Sequence, residues 1–455
     1  MKTYEALVIG GGPAAISLVK TIGPKLRTAV IRPEDHSLIY CAMPYAIEEK
    51  VPMAKTFKRD ELVTDTGAEL IRDTVSSVDF DARTVATASG AVYGWERLVI
   101  ATGARPLLPP LPGVELPGVF TFKTEDDMKA IAAAIDAGAT RAVVVGAGAI
   151  GIELAQAFVE RGLETHVVEF APSILPNLVD ADMVEEALAD LARMGARMHL
   201  DHGVSALREH GRVEEVALSK GEPIRFLDDE EAESGESDAA PRGIVVFAVG
   251  TRAETALFAG GPLELGPQGI VVNGRMETNI PGVYAVGDCV QFASAITGEL
   301  APGKLATNAV PMGKLLGAAL LGSKVEYRGF YNGAATKVGP WFVGGVGLTE
   351  AQARKRHEIM VGEASLTTTF PIMPESKPAR LKLVADRATG KLLGAQIVSG
   401  APVTDKVDQL TMAIQYGIPV AELEYFSYSS QPYQSYYPAD NLIVHAVRAM
   451  APRPA

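Results

Sequence analysis

The sequence predicts an α/β protein built from a repeated strand–turn–helix unit and a separate α+β part towards the C-terminus. Residues 6–20 read as a short apolar strand, a glycine-rich turn and a helical pattern, and the same order returns at 141–159. Two strands joined by a short turn precede a helix at 380–416. An uninterrupted apolar strand is typical of a parallel sheet covered on both faces. With a glycine-rich turn leading into a helix, it predicts two Rossmann-like dinucleotide-binding domains.

Length and composition limit the class of protein. With 455 residues the chain is too long for one core and indicates about three domains. Hydrophobic residues make up 47%, with 45 glycines and 29 prolines, as in a compact protein rich in tight turns. A net charge of −13 argues against a nucleic-acid-binding face, which would be basic. We find no transmembrane segment and no signal-peptide pattern, and we therefore expect a cytoplasmic protein.

The first glycine-rich turn reads Gly10-Gly11-Gly12-Pro13-Ala14-Ala15, which matches G-x-G-x-x-A. Glycine lets the backbone approach a pyrophosphate, and the N-terminus of the following helix supplies amide groups and positive potential. The next strand, at 28–31, is followed by Arg32, where the fingerprint has a carboxylate for the ribose. Glu34 could take that role, or the ribose could be bound differently, and the sequence leaves both open.

The second glycine-rich turn reads Gly146-Ala147-Gly148-Ala149-Ile150-Gly151. The strand at 165–168 is followed by Glu169, where the fingerprint has its acid. A carboxylate accepts hydrogen bonds from a ribose 2′-hydroxyl and repels a 2′-phosphate, and no arginine or lysine follows at 170–173. The second site is therefore predicted to prefer NADH over NADPH, the alternative being a surface glutamate that merely ends a strand.

The first of two cysteines, Cys41, lies shortly after the first nucleotide-binding pattern. Pro44 and the helical pattern behind it predict that a helix begins here, with the sulfur at its positive end. Such a thiol is expected to be partly ionised near neutral pH. Taken alone, a buried and inert cysteine would be the better interpretation.

Together these segments resemble the pyridine nucleotide-disulfide oxidoreductase family of flavoproteins, over about Glu5 to Ala446. The resemblance implies FAD at the first turn and NADH at the second, with no metal. It places the segment 101–103 near the flavin, Asp288 on the ribityl chain, and a helix beside the flavin from about Lys304. The residues expected to bind the two cofactors are Gly10, Gly12, Pro13, Ala14, Ala15, Glu34, Ala101, Thr102, Gly103, Arg105, Gly146, Gly148, Ile150, Gly151, Glu153, Glu169, Gly250, Gly287, Asp288, Ala306 and Thr307.

Two of these expectations are qualified. The resemblance implies that Glu153 lies near the contact between nicotinamide and flavin, although a helix-face glutamate packed against a loop is about as good an interpretation. The domains implied are an FAD-binding domain at 1–115 and 245–322, an NADH-binding domain at 116–244 and a dimerisation domain at 323–455.

The cysteine pattern favours one branch of this family. Disulfide reductases with a redox-active cysteine pair have the second cysteine five positions after the first, where this chain has Ala46. The segment Cys41-Ala42-Met43-Pro44-Tyr45 resembles the single-cysteine branch, which includes coenzyme A-disulfide reductases, NADH-dependent persulfide or polysulfide reductases, and NADH oxidases and peroxidases. The oxidases and peroxidases have a histidine in the first glycine-rich turn. Pro13 stands there, which favours a sulfur substrate, although His36 could substitute for that histidine.

We therefore predict an NADH-dependent reductase of small disulfide, persulfide or polysulfide substrates. Two alternatives remain. One is an NADH oxidase or peroxidase in which Cys41 cycles through sulfenic acid. The other is a flavoprotein electron carrier to a redox partner protein, with Cys41 structural. The sequence ends near Ala455 without the rhodanese-like module of some persulfide reductases, so persulfide sulfur would be delivered by another molecule.

The C-terminal part from about Tyr327 resembles the family's dimerisation domain, which implies a homodimer whose C-terminal segment covers the partner's redox cysteine. That segment, 425–438, contains five tyrosines. Tyr428 and Tyr433 are the candidates to line the substrate pocket or donate a hydrogen bond to a leaving thiolate, and interface packing is the alternative. The acidic run at 228–238 is predicted to be a solvated loop.

Overall fold

The computed structural model describes residues 1–209, 212–226 and 243–450. The chain divides into two compact units. The first unit comprises Met1–Leu107, Lys123–Asp126 and Gly250–Phe330, and the second unit comprises the remainder. The predicted boundaries of three functional domains stay a prediction, and the acidic run at 228–238 lies outside the described residues.

The first unit is organised around a mainly parallel sheet. Strand Lys2–Ile9 lies at its centre and pairs in parallel with Thr28–Arg32 on one side and Val92–Ile100 on the other. Ala6, Leu7 and Val8 have no exposed surface. Both faces of this strand are covered, which explains why its sequence is an apolar run and not an alternating pattern.

The strand order in this sheet runs from Glu69–Arg72 through the three strands just named to an antiparallel edge, with Val283–Ala285 also pairing with Val92–Ile100. The strands of the first unit are Lys2–Ile9, Thr28–Arg32, Ser37–Leu38, Phe57–Lys58, Glu69–Arg72, Val75–Asp79, Thr84–Thr87, Val92–Ile100, Ala104–Pro106, Thr251–Ala253, Leu265–Gly266, Gly269–Ile270 and Val283–Ala285. Its α-helices are Pro13–Ile22, Met43–Ile47, Glu61–Thr64 and Ala306–Leu320.

The second unit contains a five-stranded parallel sheet. Strand Arg141–Val145 pairs with Glu164–Glu169 on one side and Gly243–Phe247 on the other, which repeats the arrangement around the first glycine-rich turn. Helix Ala149–Glu160 follows the second turn, as predicted. Both glycine-rich turns therefore leave the carboxyl end of a central parallel strand.

The second unit also contains a five-stranded antiparallel sheet. Strands Pro378–Asp386 and Leu392–Ser399 pair as the predicted hairpin. Every residue of Leu392–Ser399 is buried, because this strand is central and helix Thr404–Gln415 packs on the sheet. Lys382 is also buried, and its ammonium group lies 2.7 Å from a carboxylate oxygen of Asp182. Burial of a lysine is tolerated here because the charge is paired.

The strands of the second unit are Val119–Thr121, Arg141–Val145, Glu164–Glu169, Ala196–Leu200, Val204–Glu209, Val213–Leu218, Ile224–Arg225, Gly243–Phe247, Ala334–Val338, Trp341–Gly347, Ile359–Thr367, Pro378–Asp386 and Leu392–Ser399. Its α-helices are Glu125–Asp136, whose first two residues belong to the first unit, Ala149–Glu160, Glu185–Arg193, Glu350–Ala353, Thr404–Gln415, Val420–Leu423 and Leu442–Met450. The predicted α/β fold with an α+β C-terminal part is confirmed. Within the described ranges, no helix combines the length and the apolar character needed to cross a membrane.

Candidate functional site

The first glycine-rich turn has the geometry of a phosphate cradle. Gly10 adopts φ +105°, and a Cβ there would lie 2.2 Å from the carbonyl oxygen of Ala101. Around Gly12, in contrast, no described atom beyond those of its chain neighbours lies within 4 Å of where a Cβ would stand. Helix Pro13–Ile22 begins directly after Gly12. The turn is thus closed towards the sheet and open on the side where a pyrophosphate would meet the helix N-terminus.

Small side chains behind this turn allow close helix packing. Ala14 and Ala15 are 4% and 1% exposed. A Cβ on Gly313 of helix Ala306–Leu320 would lie 2.2 Å from the carbonyl oxygen of Ala14. Larger residues at these positions would separate the two helices.

The two other predicted flavin segments lie at the same edge of the sheet. Ala101 donates from its backbone N–H to Ile9 at 2.8 Å, and Val286 donates to Ile100 at 3.0 Å. Residues 101–103 and 287–288 therefore follow neighbouring parallel strands. Thr102 is fixed by a 2.6 Å hydrogen bond from its hydroxyl to the carbonyl oxygen of Glu254. Parallel strands thus bring together three segments that are far apart in sequence.

Two lysines surround Asp288. The Lys123 ammonium lies 3.2 Å from the Asp288 carboxylate, and Lys304 donates to the Asp288 backbone oxygen at 2.7 Å. The Lys123 ammonium also lies 5.0 Å from the centre of the Tyr40 ring. Lys123 was not predicted from the sequence, because its neighbour is 165 positions away and no motif marks it. Ala306 and Thr307 lie exposed in the first turn of helix Ala306–Leu320.

Arg32 and Glu34, the two residues near the expected ribose position, have different environments. Arg32 is 2% exposed and lies beside the first turn, whereas Glu34 is exposed. The Arg32 guanidinium lies 2.5 Å from the Asp60 carboxylate. Arg105 lies in strand Ala104–Pro106, 3.7 Å from the Glu254 carboxylate.

Cys41 is exposed in a 3₁₀ turn, Tyr40–Ala42, that leads into helix Met43–Ile47. The helix predicted after the cysteine is therefore present, although it is only five residues long. Met43 and Ile47 are 1% and 0% exposed, so the segment is anchored while the sulfur remains accessible. The alternative of a buried cysteine is therefore wrong for Cys41, and its reactivity stays a prediction.

Positive charge lies close to Cys41. Strand Phe57–Lys58 pairs with Ser37–Leu38, just before the cysteine. Burial lowers the pKa of Lys58, and electrostatic interaction with Cys41 opposes that shift. Neither the pairing nor the interaction follows from a sequence motif. The Lys58 ammonium group and the Cys41 thiol are therefore near enough to interact electrostatically.

The His36 side chain contacts Glu125 and Phe57. Its Nδ1 lies 3.0 Å from a Glu125 carboxylate oxygen, and its ring stacks on Phe57 with centroids 4.5 Å apart. The other thiol, Cys289, is completely buried, and burial raises its pKa to about 11. Both cysteines are free thiols. Cys41 therefore has no cysteine of its own chain as a disulfide partner.

The three glycines of the second glycine-rich turn differ in their surroundings. Gly146 adopts φ +106°. At Gly148 a Cβ would find no described atom within 4 Å, and at Gly151 it would lie 1.9 Å from the carbonyl oxygen of Gly146. Ile150 is 46% exposed at the start of the helix. The turn thus combines a tight bend, an open approach and close helix packing.

The Glu169 carboxylate lies under this turn. It accepts hydrogen bonds from the backbone N–H groups of Ala147 at 2.7 Å and Ala171 at 2.8 Å. These contacts orient the carboxylate at the end of its strand, and each carboxylate oxygen retains a further acceptor position for a ribose hydroxyl.

The two remaining predicted residues, Glu153 and Gly250, lie in ordered surroundings. Burial raises the pKa of Glu153, whose carboxylate accepts from the Thr336 hydroxyl at 2.8 Å. Its predicted position near the nicotinamide stays a prediction. Gly250 adopts φ +104°, and its carbonyl accepts from Leu107 at 2.9 Å.

The candidate tyrosines of the C-terminal segment are accessible. Tyr428 and Tyr433 are 42% and 61% exposed, and the Tyr428 hydroxyl donates to the carbonyl oxygen of Pro438 at 2.7 Å. Burial raises the pKa of Tyr436, so its hydroxyl remains protonated. Among the described residues, no group of three or more histidine, cysteine or acidic side chains could hold a metal ion.

Comparison with known proteins identifies relatives over nearly the whole chain. The family model for the pyridine nucleotide-disulphide oxidoreductases matches residues 4–313, and the model for the dimerisation domain of these proteins matches residues 334–433. An NADH oxidase of Methanocaldococcus jannaschii is 32% identical over 447 residues, which cover 94% of this chain and 95% of the relative.

Two further relatives extend the comparison. A CoA-dependent NAD(P)H sulfur oxidoreductase of Pyrococcus furiosus is 28% identical over 437 residues, covering 93% of this chain and 94% of the relative. The crystal structure of reduced Bacillus anthracis CoADR-RHD superposes with a TM-score of 0.89 at 24% identity, covering 99% of this chain and 80% of that one. This last likeness concerns the fold.

Proposed function

Because the chain belongs to the pyridine nucleotide-disulphide oxidoreductase family, we propose that it uses NADH to reduce a small disulfide, persulfide or polysulfide through Cys41. Members of this family use FAD and NAD(P)H, and the chain is a flavin-dependent oxidoreductase. One observation carries the choice of substrate class: Cys41 is an exposed thiol, while Cys289, the second cysteine, is buried. The partner sulfur of Cys41 must then come from the substrate.

The first glycine-rich turn would hold FAD. Its open side at Gly12 and the following helix N-terminus would receive the pyrophosphate. Asp288 would accept hydrogen bonds from the ribityl hydroxyls, with its position fixed by Lys123 and Lys304. Bound FAD supplies the transfer of two electrons from NADH to a disulfide.

The second glycine-rich turn would hold NADH. Gly148 offers the open approach for the pyrophosphate, and Glu169 would accept from the adenosine ribose. A 2′-phosphate would meet the Glu169 carboxylate, while residues 170–173 provide no cation to neutralise it. These features support a preference for NADH over NADPH.

Cys41 would act as the nucleophile. Its thiolate attacks one sulfur of the substrate S–S bond, that bond breaks, and the other sulfur leaves as a thiolate or hydrosulfide. A mixed disulfide remains between Cys41 and the retained half. Two electrons and a proton convert this mixed disulfide into the Cys41 thiolate and a second thiol. The cation of Lys58 would stabilise the negative charge on sulfur at the start and end of the cycle.

A homodimer is the proposed assembly, since residues 334–433 match the family's dimerisation domain. We propose that Tyr428 and Tyr433 of one protomer line the substrate site at Cys41 of its partner. Their exposure in the single chain supports this role, because an exposed aromatic segment is available for contact with a second chain.

Oxygen or peroxide reduction is the second candidate, supported by the 32% identity to the M. jannaschii protein named NADH oxidase. In that reaction Cys41 would cycle through sulfenic acid. Pro13 stands at the expected histidine position, and His36 is paired with Glu125. Neither residue therefore offers an unengaged imidazole to assist oxygen chemistry, which favours the sulfur substrate.

Steady-state NADH oxidation with four acceptors tests the proposal. We expect turnover with coenzyme A disulfide or polysulfide to exceed turnover with oxygen or peroxide. Mass spectrometry of native Cys41 should show a coenzyme A adduct or a persulfide. Fast turnover with oxygen alone, together with sulfenic acid on Cys41, would establish the oxidase function instead. Efficient transfer to a redox protein by a Cys41→Ser variant would establish the electron carrier.

A further inference from the structure

The side chain of Arg32 lies across the first glycine-rich turn. Strand Thr28–Arg32 pairs in parallel with Lys2–Ile9, and Gly10 donates to the carbonyl oxygen of Ile31 at 2.8 Å. A Cβ on Gly11 would lie 2.4 Å from Cδ of Arg32. The aliphatic part of Arg32 therefore packs on the backbone of the turn, and only glycine at position 11 permits this contact.

An ion-pair network holds the far end of this side chain. Nη2 of Arg32 lies 2.5 Å from one carboxylate oxygen of Asp60 and 3.4 Å from the carbonyl oxygen of Asp35. Arg72, which is opposite Arg32 on the neighbouring strand, binds the other Asp60 oxygen and donates to the carbonyl oxygen of Glu34. The guanidinium is therefore held in one orientation.

One donor of this oriented group remains unused. Nε of Arg32 is buried and has no hydrogen-bond partner among the described residues. The side chain is 3% exposed, so bulk water does not solvate it. A buried N–H of a charged group without an acceptor is unfavourable, and native structures rarely contain one. An acceptor supplied by a ligand at the turn would satisfy it.

We propose that Arg32 takes the place of the usual carboxylate in binding the adenosine ribose of FAD, with Nε donating to a ribose hydroxyl oxygen. A ribose hydroxyl is both donor and acceptor, so an arginine can replace a glutamate by reversing the direction of the hydrogen bond. Glu34 is exposed, and its carbonyl oxygen is bound by Arg72. We therefore assign ribose binding to Arg32 and not to Glu34. The inference rests on FAD occupying the first turn, and it is independent of the sulfur substrate.

Binding of FAD and two analogues to the full-length apoprotein tests this assignment. The analogues lack the 2′- or the 3′-hydroxyl of the adenosine ribose, and flavin fluorescence quenching measures each Kd. We expect one of the two analogues to bind the unaltered protein about 10-fold to 100-fold more weakly than FAD, as for the loss of a hydrogen bond to a charged group. If both analogues bind within about twofold of FAD, the proposal is wrong.

A double-mutant cycle distinguishes direct contact from a structural role. Arg32→Lys keeps a cation for Asp60 and removes Nε, and we expect it to weaken FAD binding by about the same factor as the missing hydroxyl. The missing hydroxyl should then cost this variant nothing further. If the variant binds the analogue with an affinity loss equal to the product of the two single losses, Arg32 acts through folding or through a bound water. Glu34→Gln, which alters the exposed carboxylate first considered for the ribose, is the matched control and should leave all three Kd values within about twofold.

Discussion

Cys41 combines an accessible sulfur with an anchored backbone. The buried side chains of Met43 and Ile47 fix the helix that follows it, so the thiol can meet a substrate without local unfolding. Cys289 has the opposite environment, since burial raises its pKa to about 11 and its sulfur contacts the carbonyl oxygen of Ile100 at 3.4 Å. The two thiols of the chain therefore have opposite environments, one exposed and one buried, and only the exposed thiol is accessible to a substrate.

Replacement of each cysteine should distinguish the two thiols. Cys41→Ser is expected to lower turnover with a disulfide or polysulfide by at least about 1,000-fold, because a hydroxyl is a far weaker nucleophile and forms no mixed disulfide. Cys289→Ala should keep turnover within about twofold and lower the free energy of unfolding by about 1 kcal/mol, since it removes one buried sulfur. NADH oxidation assays and denaturant unfolding measure the two effects. Retained sulfur reduction in Cys41→Ser would exclude the thiol as the relay.

The charge of Lys58 should be visible in the reactivity of Cys41. Lys58→Met is expected to slow modification by anionic iodoacetate more than modification by neutral iodoacetamide, by about fivefold in the ratio, as for a charge interaction near 1 kcal/mol. Lys58→Arg should retain the wild-type ratio, and added salt should reduce the difference. An unchanged ratio in Lys58→Met would show that this lysine does not influence reagents at the sulfur.

At the level of the strand–turn–helix unit, substitution of two glycines of the second turn should have different effects. A Cβ at Gly151 would lie 1.9 Å from the carbonyl oxygen of Gly146, whereas at Gly148 it would meet no described atom within 4 Å. Gly151→Ala should therefore displace the helix and lower unfolding free energy by roughly 2 kcal/mol. Gly148→Ala should leave stability unchanged and weaken NADH binding about 10-fold, because the methyl group occupies the pyrophosphate approach. Thermal unfolding and NADH titration of both variants check this, and equal effects on both would contradict it.

Two adjacent strands of the second unit carry a histidine pair that should respond to pH. His166 Nδ1 lies 2.9 Å from His199 Nε2, which requires one of the two nitrogens to be an unprotonated acceptor. Burial lowers the pKa of His166, and burial followed by the charges of His166, His202 and Arg197 lowers the pKa of His199 to about 4. Glu164 opposes the shift of His166, while Arg141 and Arg197 add to it.

Because the histidine pKa is lower in the folded chain, the unfolded chain binds the proton at a higher pH than the folded chain does. Stability from His199 is therefore complete above its unfolded pKa of 6.5 and is lost as the pH falls towards about 4. His199 is partly exposed, so we expect roughly 1 to 2 kcal/mol after solvent screening is considered. In denaturant unfolding between pH 7.5 and about 4.5, the stability advantage of wild type over His199→Gln should shrink. A constant difference for His199→Gln would contradict the prediction.

The secondary structure around both turns could be predicted because each element has a local signal. Apolar runs predicted strands Thr28–Arg32 and Arg141–Val145 to within one residue, and the glycine-rich turns predicted that a helix follows each strand, as Pro13–Ile22 and Ala149–Glu160 do. The short helix after Cys41 also had its signal in Pro44. These elements depend on residues close together in sequence, which is the information that a single sequence contains.

At the level of the whole molecule, the contacts that tune the site could not be predicted. Lys123 meets Asp288 across 165 positions, and Arg32 meets Asp60 across 28. Such pairs depend on which strands lie side by side, and no local pattern specifies them. The dinucleotide fingerprint pointed to the position of Arg32 and the family resemblance pointed to Asp288, but neither indicated which charged side chains would lie beside them.

The proposed homodimer makes a prediction that concerns the assembly and not one chain. If each site combines Cys41 of one protomer with Tyr428 and Tyr433 of its partner, a Cys41→Ser protomer and a Tyr428→Phe, Tyr433→Phe protomer can complement each other. Their hybrid dimer contains one site with an intact cysteine and intact tyrosines, because both substitutions fall together in the other site. Unfolding, mixing and refolding the two inactive variants in equal amounts yields half hybrids, and activity should return to about a quarter of wild type. If the tyrosines serve the cysteine of their own chain, each hybrid site contains one defect and activity stays at the level of the separate variants.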